Sequence, residues 1–224
     1  AMVSQVEGSA LWEIIALTIR VTGTALAASA VLGIPTGAFL AFTRFPGRRL
    51  LVALVYTGMG LPPVVVGLVV YLLLSRSGPL GELGWLFTPT AMTLAQTIIA
   101  LPLVIGLTMT SLEAVDPQLR LQLRSMGADR RQEVTALLSE ARAGVVAAVV
   151  AGFGGIISEV GAAMLVGGNI AGRTRVLSTA IVLETRMGEF QFALVLGALL
   201  LSLAFLVNIL LLRLQHRIPY WPGR

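Results

Sequence analysis

The side chains able to do chemistry in this 224-residue chain come from a narrow set. All 16 basic residues are arginines, and the sequence contains no lysine and no cysteine. A phosphate-binding loop and a pyridoxal Schiff base each need a lysine, and a zinc site needs cysteines or several histidines. The one histidine, His216, lies near the C-terminus and is predicted to be an interfacial residue. We therefore expect no catalytic site, no metal site and no cofactor bound by this chain.

The composition of the chain is that of an integral membrane protein. Hydrophobic residues make up 56 % of it and charged residues 12 %, about half of the ~25 % found in soluble domains. Five apolar stretches reach the roughly 20 residues that a helix needs to cross a bilayer. They cover about residues 11–42, 50–74, 86–109, 143–166 and 190–212. The sequence thus predicts an all-α integral membrane protein, a single domain over residues 1–224 with five transmembrane helices.

The arginines are unevenly distributed between the two ends of these spans. Eleven of the 16 lie in the first and third loops and the C-terminal tail, whereas the second and fourth loops hold four. Because cytoplasmic loops are enriched in basic residues, we expect this richer side in the cytoplasm and the N-terminus outside. The arginines form no dense block interleaved with aromatic residues, so a nucleic-acid partner is not expected.

Two features interrupt the apolar spans. Glu159 is the one carboxylate well inside a span, and burying an uncompensated charge there is costly, so it needs a partner or water. Pro62, Pro63 and Pro102 each remove a helical hydrogen bond, and the freed carbonyl must be satisfied by protein or water. Glu159 is either a polar anchor near a gate or a structural hydrogen-bonding group. The proline-containing spans either line a translocation route or serve packing alone.

The third loop, about residues 110–142, carries helix signals. Asp116-Pro117 predicts an N-cap followed by proline at the first helical position. Leu119, Leu123 and Met126 then recur at helical spacing and predict one apolar face. Gly127 predicts the end of this short helix.

A second helix is predicted after a Gly127-Ala128 turn. Asp129 and Gln132 have the spacing of a capping box, and the helix they begin carries apolar residues toward the fourth span. Arg120 and Arg124 form a separate polar pair on the first helix. Periodicity leaves two interpretations open: a helix lying on the membrane surface, and a helix that docks into a groove of a soluble partner.

This loop resembles the coupling loop of type I ABC importer permeases. The family motif reads Glu-Ala-Ala, three residues, Gly, nine residues, Ile-x-Leu-Pro. Gly127 matches the glycine and Leu137 stands at the isoleucine, whereas residues 121–123 (Leu-Gln-Leu) and 139–140 (Ser-Glu) depart from the motif.

Longer segments resemble the molybdate and tungstate permeases of that family. They are residues 33–37 (GIPTG), 61–68 (LPPVVVGL) and 77–81 (SGPLG). Residues 158–185 are the most specific part and are most similar to the tungstate branch. The resemblance covers nearly the whole chain, from about residue 11 to residue 208.

The resemblance implies a function. The chain would be the transmembrane subunit of an ATP-driven importer in the cytoplasmic (inner) membrane of a prokaryote. It would carry a tetrahedral oxyanion, tungstate first and molybdate second. The implied partners are a second copy of the chain, two ATP-binding subunits that hold ATP and Mg, and an extracytoplasmic oxyanion-binding protein. The chain itself would not be an enzyme.

Candidate roles for individual residues come from the resemblance of the third loop and from the residue types elsewhere. The expected contacts that couple the chain to the ATPase are Leu119, Arg120, Leu123, Arg124, Met126, Gly127 and Ala128. The pathway or gate candidates are Pro62, Pro63, Pro102 and Glu159. An electropositive outer mouth would concentrate anions, and its candidates are Asn169, Arg173 and Arg175. A contact of these outer residues with the binding protein, or simple solvation, remains an equal alternative.

A secondary transporter or channel for a small anion, without an ATPase, is the main alternative function. Such proteins place ionisable residues in several spans for ion coupling, and only Glu159 is deep here. That disfavours proton coupling. A membrane enzyme and an assembly subunit without a transport path are further classes, and the first has few catalytic side chains available.

Overall fold

The computed structural model describes residues 2–217, with side chains for residues 11–213. Within that range the regular structure is helical throughout. The helices are α1 (Met2–Phe42), α2 (Arg48–Met59), α3 (Pro63–Leu74), α4 (Pro89–Glu113), α5 (Pro117–Ser125), α6 (Arg130–Glu140), α7 (Arg142–Ile157), α8 (Gly161–Gly167), α9 (Leu177–Met187) and α10 (Phe190–Arg217), with a short 3₁₀ turn at Gly81–Leu83. The all-α class is confirmed. The interfacial prediction for His216 concerns a side chain outside the described ones.

Three helical segments are long and apolar enough to cross a membrane unaided: Leu11–Phe42, Pro89–Glu113 and Phe190–Arg213. Two bent pairs, α2 with α3 and α6 with α7, pass the same test of length and composition when each pair is taken as one span. The described residues therefore supply three to five candidate spans. The first, third and fifth predicted spans coincide with the three long helices.

The second predicted span, residues 50–74, is not one helix. It breaks between α2 and α3, whose axes bend by 104°. Pro62 is extended, with φ −61° and ψ 122°, and Pro63 begins α3. Proline lacks the N–H that would continue the hydrogen-bond ladder, and it disfavours helical backbone in the residue before it. Two consecutive prolines therefore end one helix and start the next.

The fourth predicted span, residues 143–166, is also interrupted, and here the prediction of a continuous helix is wrong. α7 ends at Ile157 and α8 begins at Gly161. No proline lies at this break. A side chain of another helix bonds to the backbone at this break. Gln96 on α4 donates through Nε2 to the carbonyl of Ile156 at 3.3 Å.

α4 lies at the centre of the helical packing. It contacts α1, α2, α7 and α8, and half of its apolar span is buried, against 6 % for the span in α10. Pro102 lies inside α4 without ending it. The central helix α4 thus packs against both broken spans. α10 lies at the edge, where it packs against α7 and α9.

Candidate functional site

The start of α5 forms as the sequence predicts. The Asp116 side chain accepts a hydrogen bond from the backbone N–H of Gln118 at 2.9 Å, and Pro117 occupies the first helical position. At the other end Gly127 has φ 81°, a left-handed conformation that favours glycine. The N–H of Ala128 donates to the carbonyl of Leu123 at 3.0 Å, which closes the helix end as a Schellman turn.

The start of α6 is the predicted capping box. The backbone N–H of Gln132 donates to Asp129 Oδ1 at 2.8 Å, and the N–H of Asp129 donates back to Gln132 Oε1 at 2.9 Å. These reciprocal bonds satisfy amides that have no partner inside the helix. Both helices of the third loop are therefore defined by local hydrogen bonds.

A buried carboxylate joins the two helices. The side chain of Glu133 on α6 is 8 % exposed and accepts hydrogen bonds from two arginines of α5. Arg124 donates through Nε to Oε2 at 3.0 Å and through Nη2 to Oε1 at 3.2 Å, and Arg120 donates through Nε to Oε1. The hydrogen bond from Arg124 is the largest cause that lowers the pKa of Glu133; Arg120 adds to it, and burial opposes both. This cluster holds α5 on α6.

The two arginines predicted to couple to an ATPase thus have a partner inside the chain. The Arg120 guanidinium also lies over the ring of Phe42 on α1, 5.4 Å from its centroid. Charge-assisted hydrogen bonds of this kind fix geometry as well as adding stability. Arg120 and Arg124 therefore position α5. Helical periodicity did not predict this role, because the arginines and Glu133 lie on different helices.

The inner side of α5 is apolar, as predicted for Leu119 and Leu123. Both pack against a cluster beneath the loop made of Ala38, Leu112, Leu137 and Ala141, with neighbouring apolar side chains. The prediction that Met126 shares this face is wrong. Met126 follows the last helical residue of α5 and is 83 % exposed.

A second side of α5, which we call the outer face, points away from the protein. It is formed by Leu121, Gln122, Ser125 and Met126, all exposed. Leu121 is 66 % exposed although it is a large apolar side chain on a short helix. Sequence analysis missed Leu121, although its place opposite the inner leucines was a usable signal.

The two broken spans meet at their breaks. A Cβ on Gly67 of α3 would lie 2.6 Å from Cα of Ala162 on α8, and a Cβ on Gly161 would lie 2.5 Å from Cγ2 of Val64. Backbones can approach this closely only where glycine leaves the side-chain volume empty. α3 and α8 therefore pack directly against each other just after each break.

Pro102 also lies beside a break. A Cβ on Gly58 of α2 would lie 2.9 Å from Cβ of Pro102, so the proline ring fills the space beside the last turn of α2. Pro62 itself is exposed and Pro63 is partly exposed. The structure thus brings the predicted pathway residues to the zone where the second and fourth spans break.

Glu159 sits in the break between α7 and α8 and is partly exposed. Its Oε1 accepts the backbone N–H of Ala162 in the first turn of α8 at 3.0 Å. Its carbonyl accepts the hydroxyl of Ser178 on α9 at 3.2 Å. These bonds support the structural role that the sequence left open.

The loop after α8 is closed by one buried threonine. Thr174 Oγ1 donates to the carbonyl of Gly167 at 2.6 Å and accepts the N–H of Ile170 at 2.9 Å. Thr18 of α1 accepts the N–H of Leu177 at 2.9 Å, which attaches the loop to α1. The backbone that carries Arg173 and Arg175 is therefore held in place.

A cleft of about 310 Å³ lies between this loop and α1. Its lining includes Arg173 and Arg175 of the loop together with Arg20 and Glu13 of α1. Asn169, with φ 50°, accepts through its carbonyl from Arg175 Nη2 at 3.5 Å. Arg20 was not assigned to any site by sequence. Among the described residues no three His, Cys, Asp or Glu side chains come together as a metal site would need.

A central helix, two broken spans and an exposed helical loop define a polytopic helical membrane protein. The family described as "Binding-protein-dependent transport system inner membrane component" matches residues 33–219. In fold, the chain resembles the MetNI methionine ABC transporter in an inward-facing conformation, with a TM-score of 0.74 at 24 % identity over 94 % of this chain and 97 % of that one.

Curated relatives agree with this match. A probable anion ABC transporter permease of Haloferax volcanii is 42 % identical over 96 % of this chain and 94 % of its own length. The tungstate uptake permease TupB of Peptoclostridium acidaminophilum is 40 % identical over 92 % and 90 %. The molybdenum permease ModB of Escherichia coli is 30 % identical over 80 % and 82 %. The chain belongs to the family of type I ABC importer permeases, multi-pass proteins of the inner membrane.

We expect Glu133→Gln to loosen α5 from α6. A neutral amide replaces the carboxylate that two guanidinium groups share, at a cost of about 1–3 kcal/mol. Hydrogen–deuterium exchange at neutral pH should rise several-fold across α5 and the following turn. Glu140→Gln, at an exposed position on the same helix, should leave exchange unchanged. Equal protection of α5 in wild type and Glu133→Gln would contradict the assignment.

The same pair of proteins should show a defined pH dependence. Because the pKa of Glu133 is lowered from 4.5, its charge stabilises the folded loop at pH values above 4.5. That contribution is lost as the pH falls through the lowered pKa. The difference in melting temperature between wild type and Glu133→Gln should be full at neutral pH and should narrow below pH 4.5. A difference that stays constant under acid conditions would argue against this charge.

We expect Glu159→Gln to fold and transport normally, because the amide oxygen still accepts the N–H of Ala162. Glu159→Ala removes that acceptor and should lower stability by about 0.5–2 kcal/mol, the usual effect of losing a helix cap. Melting temperature in detergent and uptake in vesicles measure the two effects. Loss of uptake by a well-expressed Glu159→Gln protein would instead favour a gate that needs the charge.

Proposed function

We propose that this chain is the transmembrane subunit of an ATP-driven importer for a tetrahedral oxyanion, with tungstate the first candidate and molybdate the second. The observation that carries the proposal is the likeness to a tungstate uptake permease over nearly the whole of both chains. Identity to the molybdenum permease is lower, which ranks the two anions. The sequence offers no lysine for a phosphate-binding loop, so ATP hydrolysis falls to a separate subunit.

The proposed assembly contains two copies of this chain, two ATP-binding subunits that hold ATP and Mg, and an oxyanion-binding protein outside. The family description supports the binding protein, since it names binding-protein-dependent transport. The distribution of arginines supports a cytoplasmic third loop and C-terminus, with the N-terminus outside. In this orientation α5 faces the ATP-binding subunit.

The contacts of α5 support a mechanical role. The ion cluster at Glu133 holds α5 on α6, and Leu137 of α6 packs with Leu112 of α4 and Ala38 of α1. Displacement of α5 therefore moves the cytoplasmic ends of α1 and α4. α6 meets α7 at a 68° bend, so the same displacement turns α7, which ends at the broken zone.

Alternating access follows if ATP binding favours one arrangement of these rigid parts. A nucleotide shifts a two-state equilibrium only as far as it binds one state better than the other. Closure of the ATP-binding pair would draw the two copies of α5 together and reposition the broken spans. Pro62, Pro63, Pro102 and Glu159 lie in the zone that would open and close.

The docking chemistry of α5 follows from its outer face. Leu121 and Met126 are exposed, whereas the arginines are occupied by Glu133. Leu121 stands where the family motif has glutamate, so this chain offers an apolar side chain in place of a carboxylate. We therefore assign an apolar cleft to the partner at this point.

We expect the double substitution Leu121→Ser with Met126→Ser to weaken binding of the proposed ATP-binding subunit. Each lost apolar contact is worth about 1.5–3 kcal/mol, or about tenfold or more in Kd. Binding of the purified subunit to permease in lipid nanodiscs measures this. The matched control is Leu80→Ser with Leu83→Ser, two exposed leucines in the second loop. If the Leu121→Ser with Met126→Ser variant bound the subunit with wild-type affinity, the outer face of α5 would not be the docking surface.

Transport itself is tested in proteoliposomes that contain the permease, its ATP-binding subunit and the binding protein. Tungstate and molybdate should accumulate only when ATP is present on the side of the membrane that carries the ATP-binding subunit. Sulfate should inhibit tungstate uptake less strongly than molybdate does. Accumulation without the ATP-binding subunit would support the secondary-transporter alternative. ATP-dependent uptake of a cation or an amino acid, with no oxyanion uptake, would overturn the substrate assignment.

A further inference from the structure

The outer cleft between α1 and the loop after α8 brings together charges that are distant in sequence. Arg20 comes from α1, and Arg173 and Arg175 come from the loop. We propose that this cleft is a binding subsite for the tetrahedral oxyanion itself, separate from the broken zone of the spans. The choice of ligand rests on the proposed function, whereas the existence of the site rests on the residues that line the cleft.

The charges of the cleft favour an anion. Three arginines line it, and Glu13 is the one acidic residue in its lining. Among the described residues none of these three arginines forms an ion pair, in contrast to Arg48, Arg120 and Arg124, which do. The lining is therefore net positive, and no ion pair within the described part of the chain neutralises its three guanidinium charges.

Arg175 has a donor without an acceptor. Its Nε is buried and has no hydrogen-bond partner among the described residues, while Nη2 reaches the Asn169 carbonyl. Leaving a buried donor unpaired costs free energy, and more so when the group is charged. Arg175 is therefore held by the loop through Nη2, while its charge is left without a carboxylate partner among the described residues.

The loop holds these arginines in place before any ligand arrives. Thr174 lies between Arg173 and Arg175 in sequence and is fully buried, with two hydrogen bonds inside the loop. Thr18 anchors the loop to α1 only two residues before Arg20. The three guanidinium groups are therefore carried by fixed backbone, which lowers the cost of ordering them on binding.

The size of the cleft suits a small ligand. Its volume of about 310 Å³ is at the lower end of ligand pockets, roughly 300–1,000 Å³. Arginine presents several N–H donors in a planar fork that matches the oxygens of a tetrahedral anion. A site of this kind on the outer surface could receive the oxyanion as the binding protein releases it.

Direct binding tests the proposal without transport. The permease is placed in nanodiscs of phosphatidylcholine, without binding protein, and titrated with sodium tungstate by calorimetry at low salt. We expect saturable binding that weakens about tenfold or more in Arg173→Gln with Arg175→Gln, and likewise in Arg20→Gln. Glu13→Gln should tighten binding about two- to threefold, since it removes a like charge.

The matched control is Arg186→Gln, an exposed arginine in the last turn of α9 and outside the cleft lining. It should bind tungstate as wild type does. Equal weakening in Arg186→Gln would mean diffuse attraction and would overturn the site. An unchanged elution profile in size-exclusion chromatography shows that each variant is folded.

Three further outcomes would overturn the proposal. One is the absence of tungstate binding by the wild type. Another is loss of tungstate binding when the nanodiscs contain phosphatidylglycerol, which would make the cleft a lipid-headgroup site. The third is unchanged tungstate affinity in the arginine variants with reduced affinity for the binding protein, which would make it a docking surface.

The outcome separates this proposal from the proposed function. ATP-driven tungstate uptake by a wild type that shows no cleft binding would leave the function standing and remove the subsite. Cleft binding of tungstate by a complex that imports no oxyanion would keep the subsite and remove the function.

Discussion

Backbone that leaves the helical conformation within an apolar layer must find hydrogen-bond partners inside the protein. This constraint governs the centre of the molecule. At the break between α7 and α8, the carbonyl of Ile156 accepts the backbone N–H of Glu159 and the side-chain amide of Gln96, and the Glu159 carboxylate accepts an amide at the start of α8. The break therefore lies against the central helix α4, and the glycines of α3 and α8 let the second broken span close over it.

In the third loop, the short helix α5 has to be held on the membrane protein by contacts outside itself. A nine-residue helix is marginal alone, so its stability comes from caps, a buried apolar side and the ion cluster at Glu133. The same arrangement determines what remains for a partner. With Leu119 and Leu123 inward and the arginines paired with Glu133, Leu121 and the following Met126 are the large apolar side chains left exposed here. The side of α5 that packs on the protein and the side left exposed are therefore different.

The arginines of the third loop and those of the outer cleft differ in whether a carboxylate pairs with them. In the third loop Arg120 and Arg124 are neutralised by a buried carboxylate and act as structural ties. In the outer cleft Arg20, Arg173 and Arg175 have no ion-pair partner among the described residues, so their charges are not neutralised in this way. Residue type alone does not separate these roles, since all the basic residues are arginine. The difference is the ion pair that Glu133 forms with Arg120 and Arg124.

The amino-acid sequence by itself determined the membrane class, the three long spans, the Asp116 cap, the Gly127 turn and the Asp129 capping box. Each depends on composition or on residues within about four positions of one another, which local physics controls. Only the tertiary structure decided the break after Ile157, the pairing of Glu133 with two arginines nine and 13 residues away, and the meeting of Arg20 with Arg173. It also turned Met126 outward, because the helix ends before its last predicted apolar position. These features depend on how helices pack against one another, and helical periodicity carries no information about the neighbour that each face will meet.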